Sequence, residues 1–315
     1  MTKLTRSETA QFLSQRDHFA IVTHRRPDGD TLGSAALLCL GLRQLGKTAY
    51  VLENPETTEK YLPLMANLTK PQADQQDTLV AVDVASSNML GDYFAPLEGK
   101  ILLRIDHHGS ATSFTDFELV DADAAACGEV VYDVLKEMGA ALDMPMATAL
   151  YTAVSTDTGC FRYANTTANT LRVAADCVAA GADAFTMNQA YFETNSLGRL
   201  RLQGWLVENA LFLQDGKVVI CALPLEKEKE LGLTEDDLEN ISGFPRSIAG
   251  VKIAATLRQE PDGKIKMSVR AVPGCDAAEI CQKFGGGGHK GAAGASMDLS
   301  MEEAVAAVTE AMPKL

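Results

Sequence analysis

Four short segments concentrate side chains that hold metal ions: THRRPDGDTLGS at residues 23–34, VAVDVASS at 80–87, RIDHHGS at 104–110 and STDTG at 155–159. His24, Asp28, Asp30, Asp83, His107 and Asp157 are the direct ligand candidates, with Asp106 and His108 beside them. Each has a plainer reading to overcome. Asp30 can serve as an N-cap and Asp28 as a turn residue, and Asp83 can cap the turn carrying Ser86 and Ser87. An aspartate at the end of an apolar strand is costly to bury unless it is paired or metal-bound, however, and Asp157 at a helix C-terminus opposes the helix dipole. Two adjacent histidines on a loop are not both easily satisfied in a core, and Asp106 before them is placed to orient one ring.

Six mixed oxygen and nitrogen ligands exceed one tetrahedral zinc and suit two octahedral divalent ions sharing a carboxylate. This donor set favours manganese, with magnesium or cobalt as substitutes. Two such ions bind a hydroxide between them and clamp the attacking and leaving oxygens of an in-line displacement at phosphorus. The chemistry expected is hydrolysis of a phosphate ester or anhydride.

These residues need a scaffold that brings distant loops to one edge. Apolar runs at 19–23, 48–53, 78–85 and 101–106 read as buried parallel strands, and three candidate segments follow such runs. Helices are expected at 32–45 before Gly46, at 128–138, at 145–154, and at 168–180 before Gly181. The fold class is α/β, a doubly wound and mainly parallel sheet, followed by a smaller α+β unit. We expect a catalytic domain over 1–195, a linker helix over 196–215 and a substrate-binding domain over 216–315. Within the last part we expect a helix at 197–210 carrying Trp205, a strand at 217–223 and a hairpin of 251–258 with 264–272 across Pro261-Asp262-Gly263. Helices at 276–284 and 301–312 flank the glycine-rich GGGGHKGAAG of 285–294, and the acidic run 226–240 reads as a solvated helix pair.

In that order, THRRPDGD, VDVAS, DHHGS and STDTG resemble the four motifs of the DHH phosphoesterases, with the triad at Asp106-His107-His108. GGGGHKGAAG resembles the glycine-rich motif of the DHH-associated domain, so the likeness spans nearly the whole chain. Size and layout are most similar to the nanoRNase/pAp-phosphatase (NrnA-like) branch. That resemblance implies hydrolysis of RNAs of a few nucleotides to 5′-monophosphates and of 3′-phosphoadenosine 5′-phosphate to AMP; some relatives cleave cyclic dinucleotides or linear pApA. It implies one metal on His24, Asp28 and Asp83, a second on Asp30, Asp83, His107 and Asp157, and His108 as phosphoryl contact or proton donor. It further implies substrate contacts from Arg270, Arg162 and Asn165 and a possible homodimer, whereas the cytoplasmic setting we expect follows from the lack of a membrane-span run and of a signal-peptide layout in the sequence. Gly286, Gly287 and Gly288 allow backbone N–H groups close to a phosphate, and His289 adds a contact.

Composition narrows the substrate. A net charge of −14 over 315 residues disfavours diffuse gripping of a long nucleic acid, as a RecJ-type exonuclease requires, but permits one short, terminally phosphorylated chain. Seven scattered cysteines without a C-x-x-C pair fit reduced thiols, and no run is long enough for a membrane span. Three alternatives remain: a cyclic-dinucleotide or linear pApA phosphodiesterase; a manganese inorganic pyrophosphatase, for which a basic pyrophosphate cluster is missing; and a non-catalytic nucleotide-binding module, which would predict a lost ligand.

Overall fold

The computed structural model describes residues 1–109, 112–238 and 240–315; Ser110 of the DHHGS segment and Glu239 of the acidic run lie outside the described residues. The chain divides into two compact units, Met1–Thr194 and Asn195–Leu315.

In the first unit, short buried apolar runs, flanked by two exposed polar edge strands, build a seven-stranded sheet. Its strands are β1 (Thr2–Lys3), β2 (Phe19–Val22), β3 (Ala49–Leu52), β4 (Thr69–Lys70), β5 (Thr78–Val82), β6 (Leu103–Asp106) and β7 (Phe117–Val120). They lie in the order β1-β7-β6-β5-β2-β3-β4, and every pairing is parallel. One face packs on the helices Gly29–Gln44, Cys127–Glu137 and Met144–Asp157, through residues such as Ile21, Val82 and Ile105. The other face buries a smaller cluster around Ala20, Tyr50, Ala81 and Val84. The fold is thus the α/β class expected. From β2 the chain runs outward through β3 and β4, then returns to place β5 on the other side of β2. That reversal opens a crevice at the carboxyl ends of β2 and β5, where open α/β sheets bind ligands.

The second unit holds a mixed six-stranded sheet in the order β12-β13-β11-β10-β9-β8. Its strands are β8 (Leu211–Leu213), β9 (Val218–Leu223), β10 (Ile253–Gln259), β11 (Ile265–Ala271), β12 (Gly287–Gly288) and β13 (Ala292–Met297). Only β9 and β10 pair in parallel; β10 and β11 form the expected hairpin. The helix Leu197–Glu208 buries Leu202 and Leu206 against one face, and Ala277–Gln282 and Met301–Ala311 cover the other. Among the described residues, no helix is long and apolar enough to cross a membrane.

Three local expectations are corrected. The helix expected from residue 32 begins at Gly29, because Asp28 accepts the N–H of Thr31 at 3.0 Å and starts it one turn earlier. The strand expected to reach residue 85 stops at Val82, since Asp83 takes a left-handed φ of 58° that no strand accommodates. The glycine-rich stretch 285–294 is partly sheet: β12 pairs with β13, and Gly286 and Gly288 permit it. A Cβ on Gly286 would sit 2.2 Å from the Gly294 carbonyl, and one on Gly288 2.6 Å from Ala293 Cα. Lastly, the acidic run is not simply solvated. Glu228 pairs with Arg258 at 2.8 Å, and the buried Asp237 bonds to Ser196 and to Thr234.

Candidate metal centre

Three neighbouring strands deliver the candidate ligands. The loop after β2 carries His24 and Asp28, Asp83 follows β5, and β6 ends in Asp106 just before His107 and His108. A fourth contribution, Asp157, is the last residue of the Met144–Asp157 helix. Its distance from the β2 loop is set by glycine. A Cβ on Gly29 would lie 2.4 Å from the Thr156 side chain, and one on Gly33 2.6 Å from the Ala149 carbonyl. Only glycine lets these two helices meet so closely, and their contact brings Asp30 to Asp157.

Asp28 caps its own helix, but Asp30 caps another. Its carboxylate accepts the N–H groups of Cys127 (2.7 Å) and Gly128 (3.0 Å), which open the Cys127–Glu137 helix, and the Ser34 hydroxyl at 2.9 Å. Asp83 is buried as well; its amide donates to the Ile105 carbonyl at 2.9 Å, tying β5 to β6 at the moment both strands end.

The hydrogen bonding identifies what is needed between these groups. His24 Nδ1 lies 2.7 Å from the Arg25 carbonyl, which only accepts, so Nδ1 carries the proton and Nε2 presents its lone pair. Around the Thr31 hydroxyl sit His24 Nε2 at 2.5 Å, Asp83 Oδ2 at 2.6 Å and Asp28 Oδ1 at 3.1 Å. One hydroxyl proton cannot serve three acceptors. His107 repeats the pattern: Nδ1 faces the Ala124 carbonyl at 3.2 Å, and Nε2 lies 3.6 Å from Asp30 Oδ2, 3.6 Å from Asp83 Oδ1 and 3.8 Å from Asp157 Oδ2. Asp83 Oδ1 is buried and has no hydrogen-bond partner among the described residues. Lone pairs and carboxylate oxygens converging in a largely buried pocket repel one another unless cations lie between them. The donor set therefore fits divalent metal.

Charge states agree. Burial raises the pKa of Asp30, and the nearby Asp28 adds to it. Asp83 stands well above the ordinary carboxylate value, through burial and then the charges of Asp30 and Asp28. Burial and Asp30 push Asp157 up to about 7. His108 differs: burial opposes its protonation, but the 2.8 Å hydrogen bond from Nδ1 to Asp106 Oδ1 and the surrounding carboxylates raise its pKa. Burial pushes Asp106 upward, and its bonds from His108 and His107 outweigh that, so its pKa is lowered.

Three groups of ligand atoms lie within 4.8 Å of one another: His24–Asp28–Asp83, Asp30–His107–Asp157 and Asp83–His107–His108. The candidates read from sequence are thus together in one pocket. Asn165 also reaches it, donating to the Asp157 carbonyl at 3.2 Å and to Asp157 Oδ2 at 3.3 Å. Arg162 turns instead onto the Gly159 carbonyl at 2.5 Å. In the second unit Arg270 lies on β11 opposite Ala292, and His289 at the end of β12. The N–H groups of Gly285 and Gly286 bond back to the Gln282 and Cys281 carbonyls and close the Ala277–Gln282 helix, while the His289 N–H bonds to the Ala292 carbonyl across the β12–β13 turn. Sequence reading missed Thr31, which resembled an ordinary first-turn helix residue. It also missed Arg104 and Glu118, whose signal was a charge at an alternate position of an apolar strand.

The sequence matches the DHH family, N-terminal domain, over residues 18–154 and the DHHA1 domain over 215–314. With this fold and pocket, the chain belongs to the DHH/DHHA1 phosphoesterases and is a phosphoester hydrolase. It is 35% identical, over 93% of its length and 88% of the relative's, to the bifunctional oligoribonuclease and PAP phosphatase NrnA of Thermus thermophilus. Identity to the NrnA of Bacillus subtilis is 27%, over 95% of both chains. Among solved structures, an exopolyphosphatase-related protein from Bacteroides fragilis shares the fold with a TM-score of 0.86 at 23% identity, covering 97% of this chain and 94% of that one.

Proposed function

We propose that this enzyme hydrolyses very short oligoribonucleotides to 5′-mononucleotides and 3′-phosphoadenosine 5′-phosphate to AMP, with two divalent ions, manganese foremost. The observation that carries the reading is Asp83: its two oxygens face separate groups, Oδ2 toward Thr31 and His24, Oδ1 toward His107 and His108. The names of the Thermus and Bacillus relatives supply the substrate class.

In this reading His24, Asp28 and Asp83 hold one ion, and Asp30, Asp83, His107 and Asp157 hold the other. Bound there, the ions supply positive charge to the phosphoryl oxygens and an ionised water near neutral pH. The chain's own residues do the rest. The Arg25 and Ala124 carbonyls fix the two imidazoles with Nε2 inward. Asp106 holds the His108 proton on Nδ1, orienting the ring to contact the phosphoryl group and to protonate the leaving oxygen. Asn165 steadies Asp157. We assign residues 1–195 to catalysis, 196–215 to a linker and 216–315 to substrate recognition, where Arg270 and His289 grip the terminal phosphate. Seven free cysteines accord with a reducing cytoplasm.

The test is a panel with Mn²⁺: pAp, pApA, a five-nucleotide RNA, cyclic di-AMP and pyrophosphate, with products separated by chromatography. Fastest turnover of the five-mer, pApA and pAp is expected. Preference for pyrophosphate would overturn the reading, and preference for cyclic di-AMP would move the enzyme to a cyclic-dinucleotide phosphodiesterase.

A further inference from the structure

Behind the metal pocket lies an arginine that the proposed chemistry does not use. Arg104, in the middle of β6, is 1% exposed and is one of the largest fully buried side chains among the described residues. It stands in register with Glu118 on β7, and the two join at 2.5 Å. Ser113 adds a 2.9 Å bond to the same Glu118 oxygen. Burying both charges is expensive, and replacing such a pair by apolar residues of equal volume is often neutral or stabilising. Stability is therefore a weak account of their placement.

The other hydrogen bonds of Arg104 point to another role. Nη1 donates to the Ala85 carbonyl at 3.0 Å, the Thr112 carbonyl at 3.2 Å and the Val84 carbonyl at 3.5 Å. Val84 and Ala85 follow Asp83 directly, and Thr112 closes the segment that begins at Asp106-His107-His108. Thr112 in turn donates its N–H to the Ala85 carbonyl at 2.8 Å. Nη1 also lies 3.9 Å from Asp106 Oδ2, a buried oxygen with no hydrogen-bond partner among the described residues. One rigid guanidinium thus contacts the backbone just after Asp83 and the backbone at Thr112. Its planar fork supplies fixed directions that a lysine ammonium does not reproduce.

We propose that Arg104, held by Glu118, is a positioning residue of the metal centre that sets the spacing between Asp83 and the Asp106-His107-His108 turn. The proposal rests on the two-metal reading above. Such supporting contacts, one step removed from the ligands, typically contribute about 10–100-fold to metal affinity or rate.

The experiment compares the wild type with Arg104→Lys and with the double variant Arg104→Met/Glu118→Met, which leaves no lone buried charge. Folding is checked by circular dichroism in chelator, Mn²⁺ binding by calorimetry and electron paramagnetic resonance, and kcat and KM with pApA. Both variants are expected to fold, to bind Mn²⁺ about tenfold or more weakly, and to lose kcat at saturating Mn²⁺ with KM nearly unchanged. A folded double variant with Mn²⁺ affinity and kcat within about twofold of wild type would overturn the proposal. So would failure of both variants to fold, which would assign the pair to stability. A wild-type protein that binds no Mn²⁺ would instead sink the two-metal reading, and the two failures are thereby told apart.

Discussion

The carboxylate of Asp30 accepts the backbone N–H of Cys127 at 2.7 Å, although 97 residues separate them. One aspartate therefore joins the pocket to the start of a helix that it does not belong to. Asp30→Ala leaves the Cys127 and Gly128 N–H groups without an acceptor. In chelator, urea denaturation should show a loss of about 2 kcal/mol. Asp30→Asn keeps one acceptor and should lose about half as much, while both variants lose Mn²⁺ binding by calorimetry.

The clustered carboxylates make the metal-free protein sensitive to pH in a definite direction. Asp30, Asp83 and Asp157 have pKa values raised by burial above the ordinary 3.8, Asp157 to about 7. A raised carboxylate favours the folded state below its unfolded value and loses that advantage as pH rises through its folded value. In chelator, the melting temperature of the wild type relative to Asp157→Asn should fall between about pH 4 and pH 7. Excess Mn²⁺ should reverse the trend, because the ions bind the ionised forms. An identical pH dependence in both proteins would refute the assignment.

Gly33 should tolerate no side chain. A Cβ there meets the Ala149 carbonyl at 2.6 Å and the Ala153 amide at 2.8 Å, both backbone atoms of the helix that ends in Asp157. Thermal denaturation of Gly33→Ala should show about 1–3 kcal/mol of destabilisation, accompanied by weaker Mn²⁺ binding, since the strain separates Asp30 from Asp157.

Asp83→Asn preserves shape and accepts the left-handed φ of 58°. It should fold as well as the wild type in chelator and lose hydrolysis of pApA and pAp by more than about 100-fold, beyond what loss of an indirect support costs. Wild type treated with chelator should likewise be inactive. Mn²⁺ at about 100 times its dissociation constant should restore activity and add about 2.7 kcal/mol of stability, an increment that Asp83→Asn should lack.

Arg270→Ala probes substrate recognition. If Arg270 grips a terminal phosphate, KM for pApA should rise about tenfold or more while KM for unphosphorylated ApA stays unchanged. Equal effects on both dinucleotides would remove Arg270 from phosphate recognition.

Much of this pocket was legible because its residues violate the patterns around them. Asp83 and Asp106 interrupt apolar strands, Asp157 sits at the unfavourable end of a helix, and paired histidines occupy a loop. Such departures point to function because local propensity cannot explain them. The hidden parts had ordinary local explanations. Thr31 fits any helix start, and the glycines of 285–288 suggest flexibility, whereas β13 pressing on them is a contact that no local pattern announces. The short edge strands β1, β4 and β12 are two residues each and carry no periodicity. The partnership of Arg104 and Glu118 depends on β6 and β7 lying side by side, which becomes evident only with the sheet order.

The contact through Gly29 and Gly33 also orders events during folding. The β2 loop lies near the start of the chain and Asp157 beyond the last strand of the first sheet, so the pocket closes only when the Met144–Asp157 helix docks on Gly29–Gln44. Bringing such distant segments together is slow compared with forming either helix alone. A full complement of ligands therefore does not exist on a growing chain until the whole parallel sheet has been synthesised and packed. Tight uptake of divalent metal is expected to be a late step, following the docking of the Met144–Asp157 helix.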